Sequence, residues 1–339
     1  MIKDIDQLID GLFADLNPRQ VKVVTGRFGL KSGEKTTLQE IGDELGITRE
    51  RVRQIEEYCI KKLEKRVKEE IQEFLEFCHA YLTKAGGVRR DDYFIDDIKY
   101  FIKPGLDKKV KNADQKIRFL LWTGGMPSYH KEDEKFRSFW YSDEESKRKF
   151  LDFIKSVTNL LEKNDKQAVL DDKIYLKHCK DFYTCHYVLI PNHFGCNVFG
   201  DFGLREWPEI EPKTIRDKIY LVLKKHGKPL HFEQIAKFIT DFGIDNKPAH
   251  VQTAHNELIN DERFVLVGRG VYGLKERGFV PGTVREVITR LLKANGPLTK
   301  AEIVNLVNKE RFLQENTILI NLQNKRYFKK LADGLYHLR

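Results

Sequence analysis

The chain has 339 residues, 41% of them hydrophobic and 33% charged, with five cysteines and a formal net charge of +9. This length predicts two to four domains of roughly 100–150 residues each, with enough apolar residues for packed cores. No apolar run approaches the roughly 20 residues of a membrane-spanning helix, and the first ten residues lack the apolar stretch of a signal peptide. An odd number of irregularly spaced cysteines argues against a disulfide framework. We therefore expect a soluble cytoplasmic protein with no membrane partner.

Residues 36–65 predict two helices joined by a tight turn. Thr37 and Glu40 fit a capping box, so the first helix should begin at residue 38. Gly46 should end that helix, because a residue without Cβ adopts the left-handed cap readily. Thr48 then caps a second helix. The residues expected to face inward lie at helical spacing: Leu38, Ile41, Leu45, Val52, Ile55, Cys59 and Leu63.

This arrangement predicts a helix-turn-helix whose second helix presents its first side chains to the major groove of DNA. Arginine pairs with guanine, glutamine with adenine, and glutamate accepts from cytosine. An alternative stays open, in which these charges form only a solvated helix face. The residues left pointing outward are Arg49, Glu50, Arg51, Arg53, Gln54 and Lys61.

The same segment resembles region 4 of the sigma-70 family. The resemblance is carried by GRFGL at 26–30, TLQEIGDELGITRERVRQIE at 37–56 and KKLEK at 61–65. It implies binding to a −35 type promoter element and docking on RNA polymerase. By position, it implies that Glu50, Arg53 and Gln54 read bases and that Arg49 and Arg51 contact phosphates or an activator. We also assign phosphate contacts to Thr37 and Lys61. Complete sigma factors carry further domains ahead of region 4, so we expect this chain not to open a promoter alone.

Residues 214–275 and 283–338 look like two copies of one unit. Each copy predicts three short helices followed by a hairpin, with turns at Gly268-Arg269-Gly270 and Asp333-Gly334. That pattern is typical of a winged helix. Five residues recur at an offset of 64: Thr253, Leu258, Phe264, Gly270 and Tyr272 match Thr317, Leu322, Phe328, Gly334 and Tyr336.

The first copy, at about 213–275, resembles the HARE-HTH family, which includes the N-terminal domain of the RNA polymerase delta subunit. The resemblance is carried by KPLHFEQIAKFI and VGRGVYGLKE. It implies binding to nucleic acid or to polymerase, and not catalysis. Whether these helices bind DNA or protein stays open, since winged helices do both. The candidate contacts are Gln252, Asn256 and Arg269 in the first copy, and Asn321, Lys325 and Arg326 in the second.

Between these modules, six zinc-type ligands fall within 19 residues: His178, Cys179, Cys185, His186, His193 and Cys196. Zinc takes four such ligands. However, no C-x-x-C pair is present, and buried cysteine with half-exposed histidine is the commoner explanation. We predict no metal and no other cofactor. Residues 81–212 show no resemblance to a known domain family. The sequence contains no nucleotide-binding motif, no zinc-protease motif and no nucleophile elbow.

The predicted fold is a mainly α, multi-domain helix-turn-helix protein with tandem winged helices in its C-terminal half. The predicted domains are the sigma-like module at 1–80, an α+β middle domain at 81–212, and winged helices at 213–278 and 281–339. We expect a nucleoid-associated, sequence-specific transcription factor in bacterial transcription initiation. Its partners should be double-stranded DNA and the RNA polymerase core, with no small-molecule substrate and no enzymatic activity. The alternatives are a polymerase-associated protein without sequence readout and a component of DNA restriction or defence.

Overall fold

The computed structural model describes Ile2 and residues 4–102, 110–166, 169, 182–244 and 247–339. The chain divides into two compact units, residues 1–195 and 196–339. The fold is mainly helical with small sheets, as predicted. Among the described residues, no helix combines the length and apolar character that crossing a bilayer requires.

The first unit is built mostly from helices. They are α1 (Ile5–Leu12), α2 (Pro18–Phe28), α3 (Leu38–Leu45), α4 (Arg49–Lys84), α5 (Asp91–Ile102), α6 (Ala113–Gly124), α7 (Glu144–Lys163) and α8 (Phe182–Cys185), with 3₁₀ turns at Phe13–Asp15 and His186–Leu189. The strands are β1 (Val88–Arg90), β2 (Ser128–His130), β3 (Phe139–Tyr141) and β4 (Phe194–Cys196), which ends at the boundary of the unit. β3 lies between β1 and β2 in an antiparallel sheet that pairs Trp140 with Arg89 and Tyr129.

Local capping fixes the helix-turn-helix at the predicted positions. The Thr37 hydroxyl accepts the Glu40 backbone N–H at 3.2 Å, and the Glu40 carboxylate accepts the Thr37 N–H at 2.8 Å. Gly46 adopts φ 66°, in the left-handed region that ends α3. Thr48 then caps α4. The predicted starts of both helices are confirmed, because these signals act within one turn of the chain.

Helices α2, α3 and α4 share a small core in which Val23, Ile41 and Val52 are fully or almost fully buried. The turn between α3 and α4 approaches α3 closely at Gly42. A Cβ added there would lie 2.7 Å from the Ile47 carbonyl oxygen, which is shorter than real Cβ contacts. The absence of a side chain at this position therefore sets the angle at which α4 leaves the turn.

Helix α4 continues well beyond the helix-turn-helix and reaches Lys84, with one residue, Ile71, outside helical geometry (φ −128°, ψ 26°). Its later turns pack in a second, larger core that also includes α1, α5 and α6. That core runs through Leu12, Leu63, Phe74, Ile95, Phe119 and Trp140. One hydrophobic cluster therefore joins residues of the predicted 1–80 and 81–212 segments. The division into four domains stays a prediction.

The second unit contains two sets of three helices. The first set is α9 (Ile215–His226), α10 (Phe232–Asp241) and α11 (Val251–Asn260), and the second is α12 (Val284–Asn295), α13 (Lys300–Glu310) and α14 (Glu315–Leu322). The strands are β5 (Phe202–Leu204), β6 (Leu230–His231), β7 (Phe264–Gly268), β8 (Val271–Leu274), β9 (Phe328–Lys330) and β10 (Tyr336–Leu338), and a 3₁₀ turn spans Lys275–Arg277.

Both sets end in an antiparallel hairpin, β7–β8 in the first and β9–β10 in the second, so each forms a winged helix as predicted. The first copy adds β6 at the edge of its sheet, where Leu230 pairs with Tyr272. In the second copy Leu298 bridges Tyr336, which stands 64 residues after Tyr272. The third strand of the sheet is thus reduced there to a single bridge. Each copy has its own hydrophobic core.

The two winged helices contact each other at the end of β7. The Phe312 N–H donates to the Val267 carbonyl at 2.7 Å, and a Cβ added at Gly268 would lie 2.6 Å from the Phe312 oxygen. Arg311 is 2% exposed, and its guanidinium donates to the backbone oxygens of Val280 (2.6 Å) and Gly282 (3.1 Å). The second copy therefore packs against the first beside its hairpin turn.

Replacing Gly42 by alanine tests the close approach in the turn. We expect Gly42→Ala to lower the free energy of unfolding by about 1–3 kcal/mol, because the added methyl group forces the turn apart. Gly11→Ala is the matched control in α1, where an added Cβ would meet nothing within 4 Å. It should stabilise the chain by up to about 1 kcal/mol through helix propensity. Urea unfolding followed by circular dichroism measures both, and equal stability of the two variants would contradict the packing described.

Candidate nucleic-acid interface

The first two turns of α4 carry a set of exposed polar side chains. Arg53 and Glu50 expose 47% and 58% of their side chains. Val52, on the opposite face, is fully buried and holds the helix in place. The five predicted contacts on these turns, all exposed, are Arg49, Glu50, Arg51, Arg53 and Gln54. The described fold therefore brings the predicted base-reading residues together on one accessible surface.

These side chains form a hydrogen-bond network with one another. Arg53 donates to both carboxylate oxygens of Glu50, at 2.9 and 2.7 Å, and also to the Glu57 carboxylate. The Arg51 guanidinium donates to the Gln54 amide oxygen at 3.1 Å. The network holds the guanidinium and amide groups in defined positions. Sequence reasoning missed Glu57, whose spacing of four residues after Arg53 on a helix was the available signal.

The network also sets the charge states. Hydrogen bonds from Arg53 lower the pKa of the Glu50 carboxyl below its ordinary value, and Glu50 and Glu57 raise the pKa of Arg53. Glu50 and Arg53 are therefore both ionised at neutral pH. These ion pairs are exposed and screened by solvent, so they resist exchange for other hydrogen-bond partners only weakly.

The predicted phosphate contacts are also exposed. Lys61 follows Glu50 by 11 residues, so it lies on the same face of α4, about 16 Å further along the axis. Thr37 stands at the beginning of α3, where its hydroxyl accepts a backbone N–H as the helix cap. Both side chains are accessible to solvent, and their role as phosphate contacts stays a prediction.

A half-buried contact that the sequence did not indicate links α4 to the other two helices. The Arg27 guanidinium on α2 donates to the Glu56 carboxylate at 2.9 Å and to the Thr36 carbonyl at 2.8 Å. Lys22 and Glu44 form a second link between α2 and α3 at 2.7 Å. Arg27 lies within GRFGL, but its partner stands 29 residues away, so local spacing gives no indication of the pair.

The candidate contacts of the first winged helix lie at two places. Gln252 and Asn256 are exposed on α11, and the Gln252 amide donates to the Asn256 oxygen at 3.0 Å. Arg269 is exposed in the hairpin turn, between Gly268 and Gly270, which adopts φ 70°. The second copy packs beside Gly268, next to this turn, and the role of Arg269 stays a prediction.

The second winged helix carries more exposed cations than the prediction identified. Lys325 and Arg326 are exposed as expected, whereas Asn321 is half-buried and donates to the Thr317 carbonyl of its own helix at 2.8 Å. A hollow of about 800 Å³ beside Lys325 is also lined by basic residues further along the chain. We call it the cationic hollow, and its basic residues are Lys325, Lys329, Lys330 and Arg339.

The zinc candidates fall partly outside the described residues, which exclude His178 and Cys179. Cys185 is half-buried and Cys196 is exposed. His193 accepts or donates a hydrogen bond at 3.2 Å with the Thr158 hydroxyl, and burial lowers its pKa. In the part of the chain that the structure describes, no three His, Cys, Asp or Glu side chains are grouped to hold a metal ion.

Comparison with known proteins agrees with the helix-turn-helix. The family described as Sigma-70, region 4 matches residues 12–65. The chain is 41% identical over 76 residues to the RNA polymerase sigma factor sigB of Arabidopsis thaliana, which is 22% of this chain and 13% of that protein. It is 50% identical over 64 residues to the RNA polymerase sigma factor RpoD of Helicobacter pylori strain 26695, 19% of this chain and 10% of that protein. No solved structure matches the chain significantly.

These similarities are confined to the N-terminal part of the chain. A third relative, the RNA polymerase sigma factor SigA of Clostridium acetobutylicum, is 52% identical over 48 residues, 14% of this chain and 13% of the relative. The chain thus spans about a tenth of the length of these relatives. The resemblance to sigma-70 region 4 is confirmed for residues 12–65. The HARE-HTH resemblance of the first winged helix stays a prediction.

Proposed function

We propose that this protein binds double-stranded DNA through α4 and acts in transcription initiation together with the RNA polymerase core. The observation that carries the proposal is the exposed network of Glu50, Arg53 and Gln54 on the first turns of the second helix of a helix-turn-helix. The match of residues 12–65 to sigma-70 region 4 supports both the fold and the kind of partner. The proposed activity is binding and not catalysis.

In the proposed complex, the first turns of α4 enter the major groove while α3 lies across the backbone. Arg53 exchanges its carboxylate partners for the O6 and N7 atoms of guanine, and Gln54 reads an adenine. Thr37, Arg49, Arg51 and Lys61 contact phosphates and set the register without reading sequence. We propose a −35 type promoter element as the target, following the printed names of the relatives.

In this proposal, the winged helices supply a second DNA-binding surface. The cationic hollow groups four positive side chains in the second copy, a density of charge that favours phosphate binding without base preference. Two modest sites on one chain raise the effective concentration of each at a promoter. Gln252, Asn256 and Arg269 of the first copy are the further candidates for DNA or polymerase contact.

A second function, docking on RNA polymerase without sequence readout, is favoured by the mixed charge of the α4 surface. Glu50 and Glu57 both pair with Arg53 and reduce the attraction of this face for phosphates. Capture of RNA polymerase from a nuclease-treated extract, together with no footprint on any selected duplex, would support docking over DNA reading.

The experiment that tests DNA reading is selection of preferred sites from random duplexes, followed by affinity measurements on Arg53→Ala. We expect this variant to lose about 1–3 kcal/mol of preference for the selected site over random DNA, because the guanidinium supplies a bidentate base contact. The measurement is the ratio of the two dissociation constants at one fixed salt concentration.

Lys65→Ala is the matched control for Arg53→Ala. It removes one positive charge from the same helix at a side chain that is 86% exposed, three turns beyond Arg53. It should leave the preference ratio unchanged. If the ratio of dissociation constants for random and selected DNA were the same in Arg53→Ala as in the wild-type chain, the base-reading role would be contradicted.

Lys325→Ala tests DNA binding by the second winged helix. We expect it to weaken binding to selected and random duplexes by the same factor and to reduce the slope of log affinity against log salt by about 1. Lys293→Ala is the control, since Lys293 is exposed on α12 and does not line the cationic hollow. A salt slope for Lys325→Ala that matches the control would place the phosphate contacts elsewhere.

A further inference from the structure

A cavity of about 220 Å³ lies in the first unit between the helix-turn-helix and the segment formed by α6, β2 and β3. It is separate from the exposed face of α4 that carries Arg53. Its wall combines aromatic rings with cations. The lining residues are Arg27, Phe28, Lys35, Glu56, Gln115, Arg118, Trp122, Tyr129, Lys131 and Trp140.

The aromatic part of the wall has a buried side, at Trp140, and a side exposed to solvent, at Trp122. Trp140 is 1% exposed, its indole N–H donates to Asp91 at 2.8 Å, and its ring centroid lies 4.6 Å from that of Tyr129. Trp122 is 41% exposed and lies 5.1 Å from the ring of Phe28. An exposed tryptophan held beside other rings forms a platform on which a flat ligand can stack.

The charge of the wall selects an anion. Four cationic side chains face a single carboxylate, that of Glu56. Two of the cations are already engaged: Arg27 pairs with Glu56 at 2.9 Å, and Arg118 pairs with Asp91 at 2.8 Å. Lys35 and Lys131 line the cavity and are exposed to solvent, so their ammonium groups are available to a negatively charged group of a ligand.

Two hydrogen-bond acceptors also line the cavity. The Gln115 amide donates to the Gly33 carbonyl at 2.7 Å, which orients the group and leaves its oxygen as an acceptor. The Glu56 carboxylate is a second acceptor in the wall. A ligand that suits this cavity therefore carries a flat ring, ring-edge donors and an attached anion.

We propose that this cavity binds a nucleotide, with its base among the aromatic rings and its phosphate at Lys35 and Lys131. A base meets all three requirements, because every base has a π-face and a polar edge. The cavity is smaller than the roughly 300–1,000 Å³ of sites for drug-sized ligands, so it holds one base with the sugar and phosphate at its mouth. The nucleotide is either free or an unpaired residue of a nucleic acid strand.

The test is titration of the full chain with each of the four deoxynucleoside monophosphates, followed by calorimetry. Trp122→Ala should weaken binding about tenfold or more through loss of stacking, and Lys131→Gln should weaken it several-fold through loss of charge. The controls are Tyr100→Ala, which removes an aromatic residue that is 73% exposed outside the cavity, and Lys135→Gln, which removes a cation of the same loop. Both should bind as the wild-type chain does.

A second arm, with a single-stranded thymidine octamer, identifies the source of the nucleotide. If the monophosphates bind, and both Trp122→Ala and Lys131→Gln weaken that binding, the ligand is a free nucleotide. If only the octamer binds, and both variants weaken that binding, the ligand is an unpaired residue of a strand. Binding of neither probe, or binding that Trp122→Ala and Lys131→Gln leave unchanged, overturns the proposal. Melting curves of each variant separate these outcomes from misfolding, and Lys131 is exposed, so its replacement leaves the core intact.

Discussion

The packing of one helix, α4, in two hydrophobic cores is the constraint on which the rest of the first unit depends. Its first turns bury Val52 against Val23 and Ile41, and its later turns bury Leu63 and Phe74 in the larger core. A change in the orientation of α4 would disturb both cores, which are close-packed and resist deformation. The backbone that carries the exposed side chains of its first turns is therefore rigidly supported, which would lower the entropic cost of the proposed DNA binding.

In the proposed complex, the charges on α4 favour discrimination between base pairs over affinity for DNA. Glu50 and Glu57 hold Arg53 and neutralise part of its charge, so the face attracts phosphates less than its arginine content suggests. On our proposal, a base edge that matches the guanidinium replaces those partners, and a mismatched edge leaves the carboxylates facing DNA without compensation. The proposal then assigns sequence-independent affinity to the cationic hollow of the second winged helix.

Features set by local chemistry were predictable from the sequence. Thr37, Gly46 and Thr48 fix helix ends through contacts within one turn, and the 64-residue offset predicted both hairpins. Features that depend on distant residues were not. The Arg27–Glu56 pair spans 29 residues, and the 220 Å³ cavity draws its wall from residues 27 to 140. The core that the later turns of α4 share with residues 91–140 depends on tertiary packing, which the amphipathic spacing of one helix does not specify.

The most direct test of the account is photocrosslinking from α4 to DNA. A photoreactive amino acid in place of Gln54, with the full chain bound to a duplex enriched by selection, should crosslink to bases of the recurrent motif. The same group in place of Gln72, exposed on α4 about 27 Å further along, should not reach them. Equal crosslinking from both positions, or none from position 54 at saturating duplex, would contradict the claim that the first turns of α4 read DNA.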